Sequence, residues 1–127
     1  VKWLSDKRLD VFFVTLNKAD KDYSPTTMYN DYSISESLFH WQSQSTTAEN
    51  SPTGQRYIHH KERGSKVLLF VREFKADRVT GGAEAYTYLG TASYVKHEGS
   101  RPMNITWRLD RPIPAKFLKK TNKLVVG

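Results

Sequence analysis

Met103, Ile105, Trp107 and Leu109 alternate with Asn104, Thr106, Arg108 and Asp110. Successive side chains of a strand point to opposite faces, so this period of two fits a strand with one face buried and the other polar, and no helix satisfies it. The same alternation recurs over residues 38–43, where Phe39 and Trp41 share one face while His40 and Gln42 share the other. Residues 66–74 are apolar on both faces, Val67, Leu69 and Val71 opposing Leu68, Phe70 and Phe74, which predicts a central strand covered on both sides. Residues 11–16 form a further β-branched and aromatic run. Residues 85–94 resume strand character with Tyr86 and Tyr88 alternating, and Gly90 marks the place for a bulge.

Helix signals are sparse. Ser24-Pro25-Thr26-Thr27 can cap a turn running from Tyr29 to Ser33, residues 55–62 can make one or two turns closed by Gly64, and residues 115–121 read as a short basic helix entered at Pro114. Gly81-Gly82 supplies a hairpin-type connection, and the Ser- and Thr-rich residues 44–54 form the longest loop. The expected fold class is therefore α+β and β-dominated: a curled antiparallel sheet or partly open barrel with a few short helices.

A chain of 127 residues suits a single domain spanning 1–127 with a core of its own. It needs one, because cysteine is absent and with it every disulfide, thiolate nucleophile and zinc knuckle. No apolar run approaches the roughly 20 residues of a membrane span, and Val1-Lys2-Trp3-Leu4 does not open a signal peptide. The expectation is a cytoplasmic protein without a membrane partner. A start without methionine suggests a piece of a longer polypeptide.

Lys and Arg number 20 against 13 Asp and Glu, a formal charge of +7 that points to an acidic partner, nucleic acid foremost. The densest basic segment is Arg56, His59, His60, Lys61, Arg63 and Lys66; a second is Lys116, Lys119, Lys120 and Lys123. Enzyme signatures are missing: there is no phosphate-cradling loop with its lysine, no dinucleotide fingerprint and no paired-histidine metalloprotease motif. Adjacent His59 and His60 diverge too far to chelate one metal, so neither a metal nor a cofactor is expected. The set Tyr23, Tyr29, Asp31, Tyr32, Phe39, His40, Trp41, Gln42 and Gln44 combines rings that can stack on a base with groups that can bond its edge. For Phe39 and Trp41 the competing reading is plain core.

The segments Ser24-Pro25-Thr26-Thr27-Met28-Tyr29, Leu38-Phe39-His40-Trp41-Gln42-Ser43-Gln44, Ser51-Pro52-Thr53-Gly54-Gln55-Arg56-Tyr57 and His97-Glu98-Gly99-Ser100-Arg101-Pro102 resemble the uncharacterised C-terminal domain of bacterial proteins that fuse a phospholipase-D-type nuclease to a superfamily-II helicase. That family includes type IV restriction enzymes, which cleave DNA bearing 5-methylcytosine or 5-hydroxymethylcytosine. The resemblance implies a non-catalytic reader of modified cytosine in double-stranded DNA, working for helicase and nuclease domains of the same chain in bacterial defence.

A reader of so small a mark gains selectivity by flipping the base into a pocket. On that expectation Tyr29, Tyr32 or Trp41 stacks on the base and Asp31 accepts from the cytosine amino group. His40, Gln42 and Gln44 complete the edge contacts or fill the gap in the duplex, and Arg56, His59, His60, Lys61 and Arg101 grip the backbone. Three other readings compete: a reader of phosphorothioate or single strands, a protein-interaction domain docking on its own helicase, and a nuclease using His40, His59 or His60 with Asp31 or Glu36.

Overall fold

The structure is a computed structural model that describes residues 1–17, 31–76 and 79–118. Its strands are β1 (Lys2–Leu4), β2 (Leu9–Asn17), β3 (Tyr32–Ser33), β4 (Leu38–Gln42), β5 (Lys66–Phe74), β6 (Thr87–Glu98) and β7 (Asn104–Leu109), with helix α1 (Pro52–Ile58) between β4 and β5. A helical turn occupies 115–118. All seven strands join one open sheet in the order β1-β2-β5-β6-β7-β4-β3. Both edge strands are very short, which limits the row of unpaired backbone groups offered to another chain.

The strand-dominated α+β class and the open, curled sheet match the expectation. One pairing differs. β2 and β5 run parallel, in register from Leu9↔Lys66 to Asn17↔Phe74, while the other neighbours are antiparallel. A parallel pair needs a crossover connection, and here β3, β4 and α1 lie in it. Alternation along a strand looks the same for either direction, so the sequence pattern does not reveal this pairing.

Local signals moved several boundaries. Ser51 caps α1 by accepting from the Gly54 N–H at 3.0 Å, and Pro52 takes the first helical position, so the helix starts before residue 55 and ends before His59. Gly54 is required there, because a Cβ would lie 2.2 Å from the Ala48 carbonyl oxygen. Gly90, with φ +108°, faces the irregular step at Leu69/Phe70, which is the expected bulge. The turn expected to run to Ser33 is replaced at its end by β3, which pairs Tyr32 with His40 and Ser33 with Phe39; residues 18–30 lie outside the described residues.

One face of the sheet is covered by α1 and the segment around Ile113 and Phe117. The core gathers Phe12, Val14 and Leu16 of β2, Phe39 and Trp41 of β4, Val67, Leu69 and Val71 of β5, and Ile105, Trp107 and Leu109 of β7, with Tyr57 of α1. At its centre Phe12 stacks on Trp41 with ring centroids 4.2 Å apart and meets Tyr57 and Trp107 edge-on at 5.6 and 5.5 Å. β2 and β4 are four strand spacings apart in the sheet order, about 19 Å in a flat sheet. Ring contact between them therefore requires the sheet to curl round its core. Among the described residues no element covers the opposite face, and Leu68 and Phe70, expected to be covered, are only half-buried.

A buried ion pair ties α1 to the sheet. Asp10 occupies a core-facing position of β2 at 0% exposure and accepts from Arg56 Nε and Nη2, both at 2.8 Å. The hydrogen bond to Asp10 raises the Arg56 pKa against the opposing effect of burial, and the guanidinium lies 4.3 Å over the Trp3 ring. Arg56→Ala would leave a buried carboxylate uncompensated and should cost about 3–5 kcal/mol in urea denaturation, whereas Asp10→Leu combined with Arg56→Met should recover most of that loss. Next to the pair, burial foremost and the Asp10 charge second push the Tyr57 hydroxyl from 10.0 up to about 12. A raised pKa means that the folded chain holds this proton when the unfolded chain has lost it. Stability from Tyr57 should be intact below pH 10.0 and disappear as pH rises to about 12; urea midpoints across that window should fall less steeply for Tyr57→Phe than for the parent chain.

Candidate nucleic-acid interface

The open face inherits the polar members of the alternating strands. Register places Tyr32, His40, Thr106 and Lys96 in one row across β3, β4, β7 and β6, with Gln42, Asn104 and Glu98 in the next. All of these but Gln42 line a depression of about 330 Å³ whose wall also includes Ile34, Leu38 and His97. Tyr32 and His40 stack face to face with centroids 4.6 Å apart and planes inclined by 14°. Gln42 Nε2 donates to Asn104 Oδ1 at 3.2 Å, which fixes the next row. The size is at the lower end for pockets that hold small ligands. The lining offers an aromatic surface, an ammonium group, a carboxylate, an amide and a hydroxyl.

Several expected site residues have other positions. Trp41 is 5% exposed and belongs to the core stack, because odd-numbered positions of β4 face inward, so it is not available to stack on a base. Asp31 is buried and its Oδ1 accepts from the Gln42 backbone N–H at 2.8 Å; it positions β4 and does not line the depression. Gln44 follows the end of β4 and borders a separate hollow with Trp3, Thr46, Ser51 and Arg56. Tyr29 lies outside the described residues. Of the predicted base-binding set, Tyr32, His40 and Gln42 are the ones brought together.

The predicted backbone contacts divide as well. Arg56 is committed to Asp10. His60 is buried: its Nδ1 is 3.0 Å from the Ser65 carbonyl oxygen and its Nε2 accepts from the Tyr94 N–H at 3.1 Å, next to the irregular step at Tyr94/Lys96. This pairing requires the tautomer with hydrogen on Nδ1, which makes His60 a structural bridge between the α1 end and β6. Neither residue is placed to grip a phosphate. His59 reaches Glu62 at 3.0 Å near the surface. Lys61 and Arg101 are exposed, Arg101 at the β6–β7 turn with φ 56°. Lys61 and Lys66 border a second depression of about 400 Å³ with Thr91 and Ser93 of β6. The two depressions thus share one strand, centred about five residues or 17 Å apart. Lys119, Lys120 and Lys123 lie outside the described residues.

Sequence reasoning missed Lys96, Glu98, Asn104 and Thr106 as pocket residues. The signal was present in the polar half of the 103–110 alternation, but only the register with β4 and β6 turns those positions into a wall. It also missed a hydrogen-bonded chain in which Tyr94 Oη meets His97 Nδ1 at 2.7 Å and His97 Nε2 meets Glu49 Oε2 at 2.7 Å. Burial first, then the Glu49 charge, raises the Tyr94 pKa. The chain fastens the loop before α1 to β6. Among the described residues no three His, Asp or Glu side chains cluster closely enough to hold a metal, and no helix is long and apolar enough to cross a membrane.

The core position of Trp41 has a direct consequence. Trp41→Ala should destabilise the chain by about 3–5 kcal/mol in thermal or urea unfolding.

The model of the family described as a domain of unknown function, DUF3427, matches residues 4–120. No curated protein matches the chain.

Proposed function

We propose, from the premise that this chain belongs to the DUF3427 family, that it is a non-catalytic DNA-recognition domain that reads 5-methylcytosine or 5-hydroxymethylcytosine in duplex DNA. In this reading it is the C-terminal module of a cytoplasmic nuclease–helicase fusion of the type IV restriction kind, and cleavage and translocation belong to other domains of the same polypeptide.

The observation that carries the reading is the Tyr32–His40 stack beside a depression with polar groups on its far side. A cytosine flipped from the duplex would lie against this pair, its amino group donating to Glu98 or the Asn104 carbonyl in place of the Asp31 contact first expected. Lys96 would donate to the base O2 or N3, and Leu38 or Ile34 would meet the 5-substituent. Lys61, Lys66 and Arg101 are exposed and would hold phosphates, fixing register without reading sequence. The net charge of +7 supplies the attraction that such contacts share.

Titration of the chain against otherwise identical duplexes carrying cytosine, 5-methylcytosine or 5-hydroxymethylcytosine tests this at two salt concentrations. A preference of the parent chain for a modified duplex is expected. Tyr32→Ala and His40→Ala should each remove about 1–3 kcal/mol of stacking and erase the preference. Lys61→Ala or Arg101→Ala should weaken all three duplexes equally, and each should flatten the slope of log affinity against log salt by about 0.9. Equal affinity of the parent chain for all three duplexes would sink the reading.

A further inference from the structure

The other half of the open face, built by β2, β5 and the approach to β6, carries a different surface. Tyr86, Phe13, Phe70 and Tyr88 form a continuous strip of rings, with successive centroids 5.2, 5.3 and 4.9 Å apart. Phe13 is 48% exposed and Tyr88 43%. A guanidinium closes each end: Arg72 lies 4.4 Å from the Tyr86 centroid and Arg111 5.3 Å from that of Tyr88.

Both cations are placed by the fold. Arg72 donates from Nε to Thr15 Oγ1 at 2.9 Å and from Nη1 to the Glu84 carbonyl at 3.2 Å, which holds it beside its ring. Arg111 lies over Gly90, where a Cβ would come within 3.1 Å of its Nε, so the glycine that permits the bulge also leaves room for the cation. Arg108, exposed on β7, faces the same side of the sheet through its pairing with Leu38 and Ser93.

Rings in line, Phe13 and Tyr88 exposed and Phe70 and Tyr86 half-buried between cations, on a chain of charge +7 match the chemistry of an unpaired polynucleotide. Every base has a face that stacks on a ring regardless of sequence, and every linkage carries a negative charge. We infer that this strip binds a short run of single-stranded nucleic acid, its bases lying on Phe13, Phe70 and Tyr88 and its phosphates meeting Arg72 and Arg111. The site is separate from the Tyr32–His40 depression and does not rest on the modified-base reading.

Fluorescence anisotropy of a labelled oligothymidylate of about 15 nucleotides, long enough for one such site, tests the inference. The parent chain should bind it, and binding should weaken as salt rises. Phe13→Leu combined with Tyr88→Leu keeps apolar bulk at two exposed positions and removes both rings; affinity should fall roughly tenfold or more. Tyr88→Trp, which enlarges the ring, should bind at least as tightly as the parent, and Arg111→Gln should bind more weakly with a shallower salt dependence. Unchanged affinity in the double leucine variant, as expected if the strip docks a protein, overturns the inference, as does a tenfold loss in Tyr88→Trp or no binding by the parent at low salt. The cytosine-modified duplexes measured on the same double variant separate the two sites. A modification preference that survives there places duplex reading elsewhere, while a parent chain without any preference removes the pocket reading and leaves the oligothymidylate result standing.

Discussion

Phe12 and Trp41 touch although β5, β6 and β7 separate their strands in the sheet. Aromatic pairs of this kind contribute about 0.5–1.5 kcal/mol each beyond the area they bury, but their geometric effect is larger. Closing the distance between β2 and β4 forces the sheet into a trough, and the trough encloses Tyr57 and Trp107 edge-on to Phe12. Every position described above follows from that curvature. Inward residues of β2, β4, β5, β6 and β7 converge on one cluster, and outward residues form a continuous face.

Among the described residues, coverage on one side alone decides what the sheet's outer face can do. α1 and the Ile113–Phe117 segment close the trough, so the outer side keeps whatever the alternating pattern placed there. Along β3, β4, β7 and the end of β6 that is a stacked Tyr–His pair among amides, a lysine and a carboxylate. Along β2, β5 and the approach to β6 it is a strip of rings between arginines. Two chemically distinct surfaces therefore occupy one sheet face, and β6 contributes to both.

Basic residues of this chain have two uses. Arg56 neutralises Asp10 inside the trough, and His60 bridges the α1 end to β6 through both ring nitrogens. These groups hold the fold and are turned away from any ligand. Lys61, Lys66 and Arg101 project freely into solvent and keep the attraction for anions. A run of basic residues in sequence thus mixes internal struts with surface cations, because a helix end directs neighbouring residues to opposite sides.

The strand-rich class, the bulge at Gly90, the polar identity of His40 and Gln42 and the basic balance could all be read from the chain, since alternation and turn chemistry are local properties. Local signals also contained the start of α1, in Ser51-Pro52. The role of Trp41 remained open at that level, because an aromatic residue at an alternating position suits a core or a pocket equally until the covered face is known. Asp31 and Arg56 could not be assigned for a related reason: their partners, Gln42 and Asp10, lie 11 and 46 residues away. The parallel β2–β5 pairing, the row joining Tyr32 to Lys96 and the line of rings from Tyr86 to Tyr88 depend on register between distant strands. Sequence determined which residues alternate; only tertiary structure decided which side of the alternation would be enclosed, because that depends on where the crossover carries α1.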